Sequence, residues 1–151
     1  MLISPENIRV PRWEISVVDP DNNDYYMKAI NNGGCIRFEL RTIINNQKHP
    51  TMSGEKFIQA ALDCFDSNRA MYFPTKCVAV LKEGTGSYTK FKNEIKKGRT
   101  PEESAKLTWW GKTLSKHGFT EVYPGDVVVV KSENEHIPNS GFVQIFFSAK
   151  S

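Results

Sequence analysis

The segment Ile36-Arg-Phe-Glu-Leu-Arg-Thr42 constrains the fold of this chain more than any other. Ile36, Phe38 and Leu40 alternate with Arg37, Glu39 and Arg41, and a period of two belongs to a strand with one buried and one solvated face. Upstream, Asn31-Asn-Gly-Gly34 supplies hairpin turn chemistry, so Tyr25 to Ile30 reads as a partner strand, with a helix as the alternative. Trp13 to Val18 is rich in β-formers and runs into Asp19-Pro-Asp-Asn-Asn23, a dense turn signal that ends a further strand.

The middle of the chain changes period. Ser53 can cap a helix through Phe57, Ala61 and Phe65, and the additional apolar residues Ile58, Leu62 and Cys64 predict that this helix is largely buried. Lys76 to Lys82 is an apolar run of strand length, closed by Gly84-Thr-Gly-Ser87. Residues 88–97 read as a Lys-rich surface helix ending near Gly98. Thr100-Pro-Glu-Glu103 then combines an N-cap, a proline at the first helical position and acidic residues in the first turn. It predicts one helix from Thr100 to a stop at Gly118. In the last third, Phe119 to Tyr123, Val127 to Val130 and Gly141 to Phe147 read as a small antiparallel set ending in a β-hairpin. The unbroken valines predict a strand buried on both faces. Together these segments predict an α+β fold: one domain over 1–151, with a mainly antiparallel sheet packed against two to three helices.

Size and composition narrow the function classes. A chain of 151 residues with 39% hydrophobic residues can bury one continuous core, and it has no apolar run of the roughly 18 residues that would span a bilayer. The amino terminus lacks a basic head followed by an apolar core, so no Sec signal is read. Synthesis in the cytoplasm is expected, with export by a route without a cleaved signal left open. Cys35, Cys64 and Cys77 are odd in number and widely spaced, which argues against a disulfide framework or a zinc site. No P-loop, dinucleotide fingerprint or nucleophile elbow occurs, so neither a cofactor nor a metal is expected.

Two constellations carry chemistry. On a strand, Arg37, Glu39 and Arg41 share one face at spacings of roughly 7 Å. Two guanidinium groups flanking a carboxylate suit metal-independent phosphodiester cleavage, the arginines gripping phosphate and Glu39 accepting a proton. An exposed ion-pair ladder produces the same pattern. On the helix after Thr100, Leu107, Trp110, Gly111 and Leu114 form an apolar stripe, whereas Thr108, Trp109 and Lys112 fall on another face, with Lys116 one turn further. An exposed Trp109 would stack on a base while the lysines meet phosphates, and Thr108 would add a hydrogen bond. The alternative is Trp109 packed under a neighbouring element. A third arrangement pairs Cys35 as nucleophile with His49, His117 or His136. The last two strands superficially resemble the end of NlpC/P60 or CHAP-type peptidoglycan amidases, but those require a histidine where this chain has Phe142.

Two segments, Gly33-Gly-Cys-Ile-Arg-Phe-Glu-Leu-Arg-Thr42 and the stretch from Thr100-Pro-Glu-Glu103 through Thr108-Trp-Trp-Gly-Lys112 to Val122, resemble C-terminal domains of bacterial polymorphic toxins of the Rhs and contact-dependent inhibition types. At Trp110 the family pattern has a small residue. The resemblance implies a toxin-like enzyme with a cognate immunity protein and picks out the same two constellations. The resulting expectation is an RNA-directed nuclease with Glu39, Arg37 and Arg41 at the chemistry, and Thr108, Trp109, Lys112 and Lys116 holding substrate. A protein-binding module of immunity or adaptor type is the alternative.

Overall fold

The computed structural model describes residues 13–32, 34–67, 75–130 and 141–149, and its chain forms two compact units that divide between Thr75 and Lys76. The class is α+β, and the strand pairs within each unit are antiparallel.

In the first unit, β1 (Trp13–Val18), β2 (Tyr26–Asn32) and β3 (Cys35–Arg41) form a meander. The turn chemistry between β1 and β2 works through side chains: Asp19 Oδ1 accepts from the amide of Asp21 and Asn22 Oδ1 from that of Asp24. Asn32 pairs with Cys35 across the second turn, where Gly34 takes φ +88° and the buried Asn31 accepts from its amide. Two short strands, β4 (Ile43–Ile44) and β5 (Gln47–Lys48), follow. Asn45 and Asn46 both have positive φ between them, the backbone that a two-residue hairpin of primed type requires. The helix α1 (Gly54–Ser67) starts where Ser53 Oγ accepts from the amide of Lys56, and it packs against β2. Met27, Ala29, Ile36 and Phe38 from the strands meet Phe57, Ile58 and Ala61 in the core. The helix is less buried than expected: Gln59, Ala60, Asp63 and Cys64 are exposed, because a helix lying on one sheet face needs only a single apolar stripe.

The second unit is built around β9 (Phe142–Ala149). On one side β9 pairs along its length with β6 (Lys76–Lys82). On the other it pairs with β8 (Val127–Val130) and, further along, with β7 (Phe119–Glu121). The rows Cys77, Ala79, Leu81 and Phe147, Ile145, Val143 face one another across the β6–β9 pair and are fully buried. Between β6 and β7 lie three helices, α2 (Gly86–Lys96), α3 (Pro101–Lys106) and α4 (Trp109–Ser115).

Two expectations are corrected here. Val128, Val129 and Val130 are exposed rather than buried on both faces. Among the described residues β8 pairs only with β9, so it is an edge, and a run of four identical residues carries no period from which its position could be read. Second, the single helix from Thr100 to Gly118 is two helices. Thr108 leaves the helical conformation (ψ 163°), donates its hydroxyl to the carbonyl of Ala105 at 2.7 Å and accepts the amide of Gly111 at 3.2 Å. A threonine that caps outcompetes helix continuation when the following turn can use its oxygen.

Candidate nucleic-acid interface

The helical segment 86–116 holds eight basic residues against three acidic ones, a net of +5, whereas the whole chain carries +3. The segment is therefore more basic than the chain as a whole, and its helices are neighbours in the second unit, α2 packing on α3 and α3 on α4. Trp110 and Leu114 anchor α4 in the core. Trp109, one position earlier, is turned outward and remains 39% exposed, with its ring held edge-to-face against that of Trp110 (centroids 5.1 Å apart, planes at 82°). The buried neighbour fixes the exposed ring, so a flat apolar surface stands ready beside the exposed Lys112, three residues on. Lys116, at the end of α4, is exposed as well. Thr108 differs from expectation: it is fully buried and its hydroxyl is committed in both directions to the helix break, which gives it a structural task.

At the other end of the segment, α2 begins at the N-cap Thr85 and carries Lys92 Nζ 5.6 Å from the centre of the Tyr88 ring, a cation–π geometry. Its end is a Schellman motif: the amide of Gly98 bonds the carbonyl of Ile95 and that of Arg99 bonds the carbonyl of Glu94, with Gly98 at φ +96°. This reversal brings the Arg99 side chain back to Glu94. The Glu94 carboxylate, only 3% exposed, accepts from Lys90 at 3.0 Å, Lys97 at 3.2 Å and Arg99 Nε at 2.6 Å. Hydrogen bonding to Lys90, then to Arg99 and Lys97, outweighs the cost of desolvation and lowers the Glu94 pKa to about 2. This cluster has no local pattern in the sequence. Its signal was Glu94 standing five residues before Arg99 with Gly98 between them, legible only once a Schellman end is assumed.

In the first unit, Arg37, Glu39 and Arg41 do share one strand face. Arg37 Nε donates to Glu39 Oε1 at 3.1 Å, Lys28 lies directly across from Glu39 on β2, and Lys28 Nζ is 3.9 Å from Glu14 on β1. The trio is thus part of a ladder of alternating charge across three strands, with Arg37 and Arg41 exposed.

An open cleft of about 480 Å³ lies elsewhere in this unit, among Val17, Asp19, Met27, His49, Met52 and Phe57. His49 faces Asp19 through Nε2 at 2.8 Å, while Nδ1 accepts the amides of Thr51 and Met52 at 3.2 and 3.0 Å. The amide of Asp21, followed by His49, lowers the Asp19 pKa. With both nitrogens engaged, His49 pins the turn before α1 and has no lone pair to activate a thiol. Cys35 is half-buried at the start of β3, His117 lies in the turn after α4, and His136 falls outside the described residues. Among the described residues, no three His, Cys, Asp or Glu side chains are grouped to hold a metal, and no helix is long and apolar enough to cross a membrane. Comparison with known protein families, curated proteins and solved structures gives no match.

Proposed function

We propose that this chain binds single-stranded nucleic acid, with RNA favoured, through the helical layer of its second unit. The observation that carries the reading is the exposed ring of Trp109, set edge-to-face against Trp110 within a segment of net charge +5. Stacking on an aromatic ring is sequence-tolerant and needs an unpaired base, whereas lysines supply the salt-dependent attraction to phosphates. Trp109 is the stacking platform, and Lys112 and Lys116 meet the strand beside it.

A stacked base contributes about 1–3 kcal/mol to binding, so Trp109→Ala is expected to weaken the affinity for a labelled U20 oligonucleotide by about tenfold, read by fluorescence anisotropy. Unchanged affinity, or no binding by the wild type, would refute the proposal.

The toxin-like ribonuclease reading assigns chemistry to residues of the first unit. Glu39 takes the proton of the 2′-hydroxyl, whose oxygen attacks the neighbouring phosphorus and displaces the 5′-oxygen, which takes its proton from water; Arg37 and Arg41 stabilise the charge that builds on phosphate. Labelled RNA incubated with wild type and with Glu39→Ala should show cleavage that the substitution slows by a factor on the order of 100 or more. RNA bound but left intact by the wild type would remove the catalytic step and leave a binding protein. The charge ladder of Glu14, Lys28, Glu39 and Arg37 on a three-stranded sheet favours a second reading, a protein-docking face of immunity or adaptor type. That reading expects no RNA binding at all.

A further inference from the structure

We infer that Lys90, Lys97 and Arg99, gathered on the buried carboxylate of Glu94, form a clamp for a phosphate group. The inference deepens the nucleic-acid reading by naming where the strand's phosphate is held, and it rests on that reading for its biological ligand.

The geometry separates the two signs of charge. Glu94 is 3% exposed, whereas the side chains of Lys90, Lys97 and Arg99 are 45%, 65% and 50% exposed. The carboxylate therefore stands behind the cations, and a group arriving from solvent meets the cations first. Three positive charges against one negative leave a local excess of two. The donors are not used up either. Glu94 takes one hydrogen bond from each ammonium and only the Nε–H of Arg99, so further ammonium hydrogens and the four Nη hydrogens remain to be shared with a ligand. Flexible lysine and arginine side chains lose rotamer freedom when they grip an anion, and here the shared carboxylate has already removed part of that freedom. The Schellman turn at Gly98 holds the backbone that carries two of the three cations. A tetrahedral phosphate, with several acceptor oxygens, matches convergent donors of this kind better than a single carboxylate does.

The role of Glu94 as a positioning residue can be told from simple charge. Removing a negative charge should strengthen binding of any polyanion if only net charge matters. If Glu94 organises the clamp, Glu94→Gln should weaken U20 binding, by about fivefold or more, although the variant is more positive.

Two further measurements stand apart from that variant's folding. In ¹⁵N-labelled wild type, inorganic pyrophosphate should shift the Arg99 Nε–Hε resonance saturably. The double variant Lys97→Gln, Arg99→Gln should flatten the plot of log affinity for U20 against log salt by about 1.4, the value for two lost phosphate contacts on a single strand. Tighter U20 binding by a folded Glu94→Gln protein, or an Arg99 resonance that pyrophosphate does not move, overturns the clamp. Pyrophosphate binding without U20 binding keeps the clamp and rejects RNA as its ligand. Trp109-dependent U20 binding with an unmoved Arg99 resonance and an unchanged salt slope keeps the RNA reading and rejects the clamp.

Discussion

Gly111→Ala is expected to destabilise the second unit by about 3 kcal/mol, moving its urea midpoint down by roughly 1–2 M. A Cβ added at Gly111 would lie 2.5 Å from the carbonyl oxygen of Lys106, 2.6 Å from that of Ala105 and 2.7 Å from the Lys106 carbonyl carbon. All three are backbone atoms of the α3 end, and α3 is fixed by its Thr100 cap and its buried Ser104 and Ala105. The clash cannot be relieved by swinging a side chain; the elbow between α3 and α4 must open. Opening it also disturbs the bond from the Gly111 amide to Thr108 Oγ1. Gly86→Ala is the control, since a Cβ there meets nothing within 4 Å in the first turn of α2. It should leave the midpoint unchanged or raise stability by about 0.5 kcal/mol, by restricting the unfolded chain. Urea titrations followed by circular dichroism compare the two, and equal behaviour would show that Gly111 is not held against α3. Because the same elbow orients Trp109, Gly111→Ala should also weaken the proposed RNA binding at urea concentrations where the protein is still folded.

Gly111 illustrates what sequence could and could not supply. The alternation around Phe38, the hairpin glycines and the double turn signal at Asp19-Pro20 are local, and each produced the element expected of it, because the period or the turn backbone is set within a few residues. The helix break at Thr108 was not legible, since Leu107, Trp110 and Leu114 continue a helical stripe across it and the decisive bond links Thr108 to Gly111. The valines of β8 were misplaced for a related reason: whether a strand lies at a centre or an edge depends on partners distant in sequence. The candidate site divides the same way. That Trp109 and Trp110 could not enter one core together followed from helical geometry, and the exposed ring is Trp109. Thr108 joined the predicted binding face only because its capping role was invisible there. Glu94 read as one charge in a solvated helix, because its burial depends on a backbone reversal that returns Arg99 to it.

The hydrogen bonds from Lys90, Arg99 and Lys97 make Glu94 the most acid-sensitive carboxylate among the described residues of the second unit, and its substitution should change the pH dependence of stability. Its pKa is about 2 in the folded chain, against an ordinary value of 4.5. Between these values the unfolded chain binds the proton more readily than the folded one, so stability rises with pH across the window. The contribution of Glu94 is therefore fully present above about pH 5, falls as the pH drops below 4.5, and is gone near pH 2. Wild type should lose urea resistance steeply over that range, whereas Glu94→Gln should begin lower at pH 7 and fall more gently, so the two curves converge towards pH 2. The Asp19 carboxyl, also held below its ordinary value, adds acid sensitivity in the first unit and affects both proteins alike, so it cancels in the difference. A constant gap between wild type and Glu94→Gln from pH 7 to pH 2 would mean that the carboxylate is not the proton acceptor, and that Lys90, Lys97 and Arg99 are held by packing instead. Neutralising the cations supplies the converse check. Lys97→Gln with Arg99→Gln leaves Glu94 with Lys90 alone and should raise the carboxyl pKa towards 4.5, so the acid-induced loss of stability is smaller and is complete at higher pH than in the wild type.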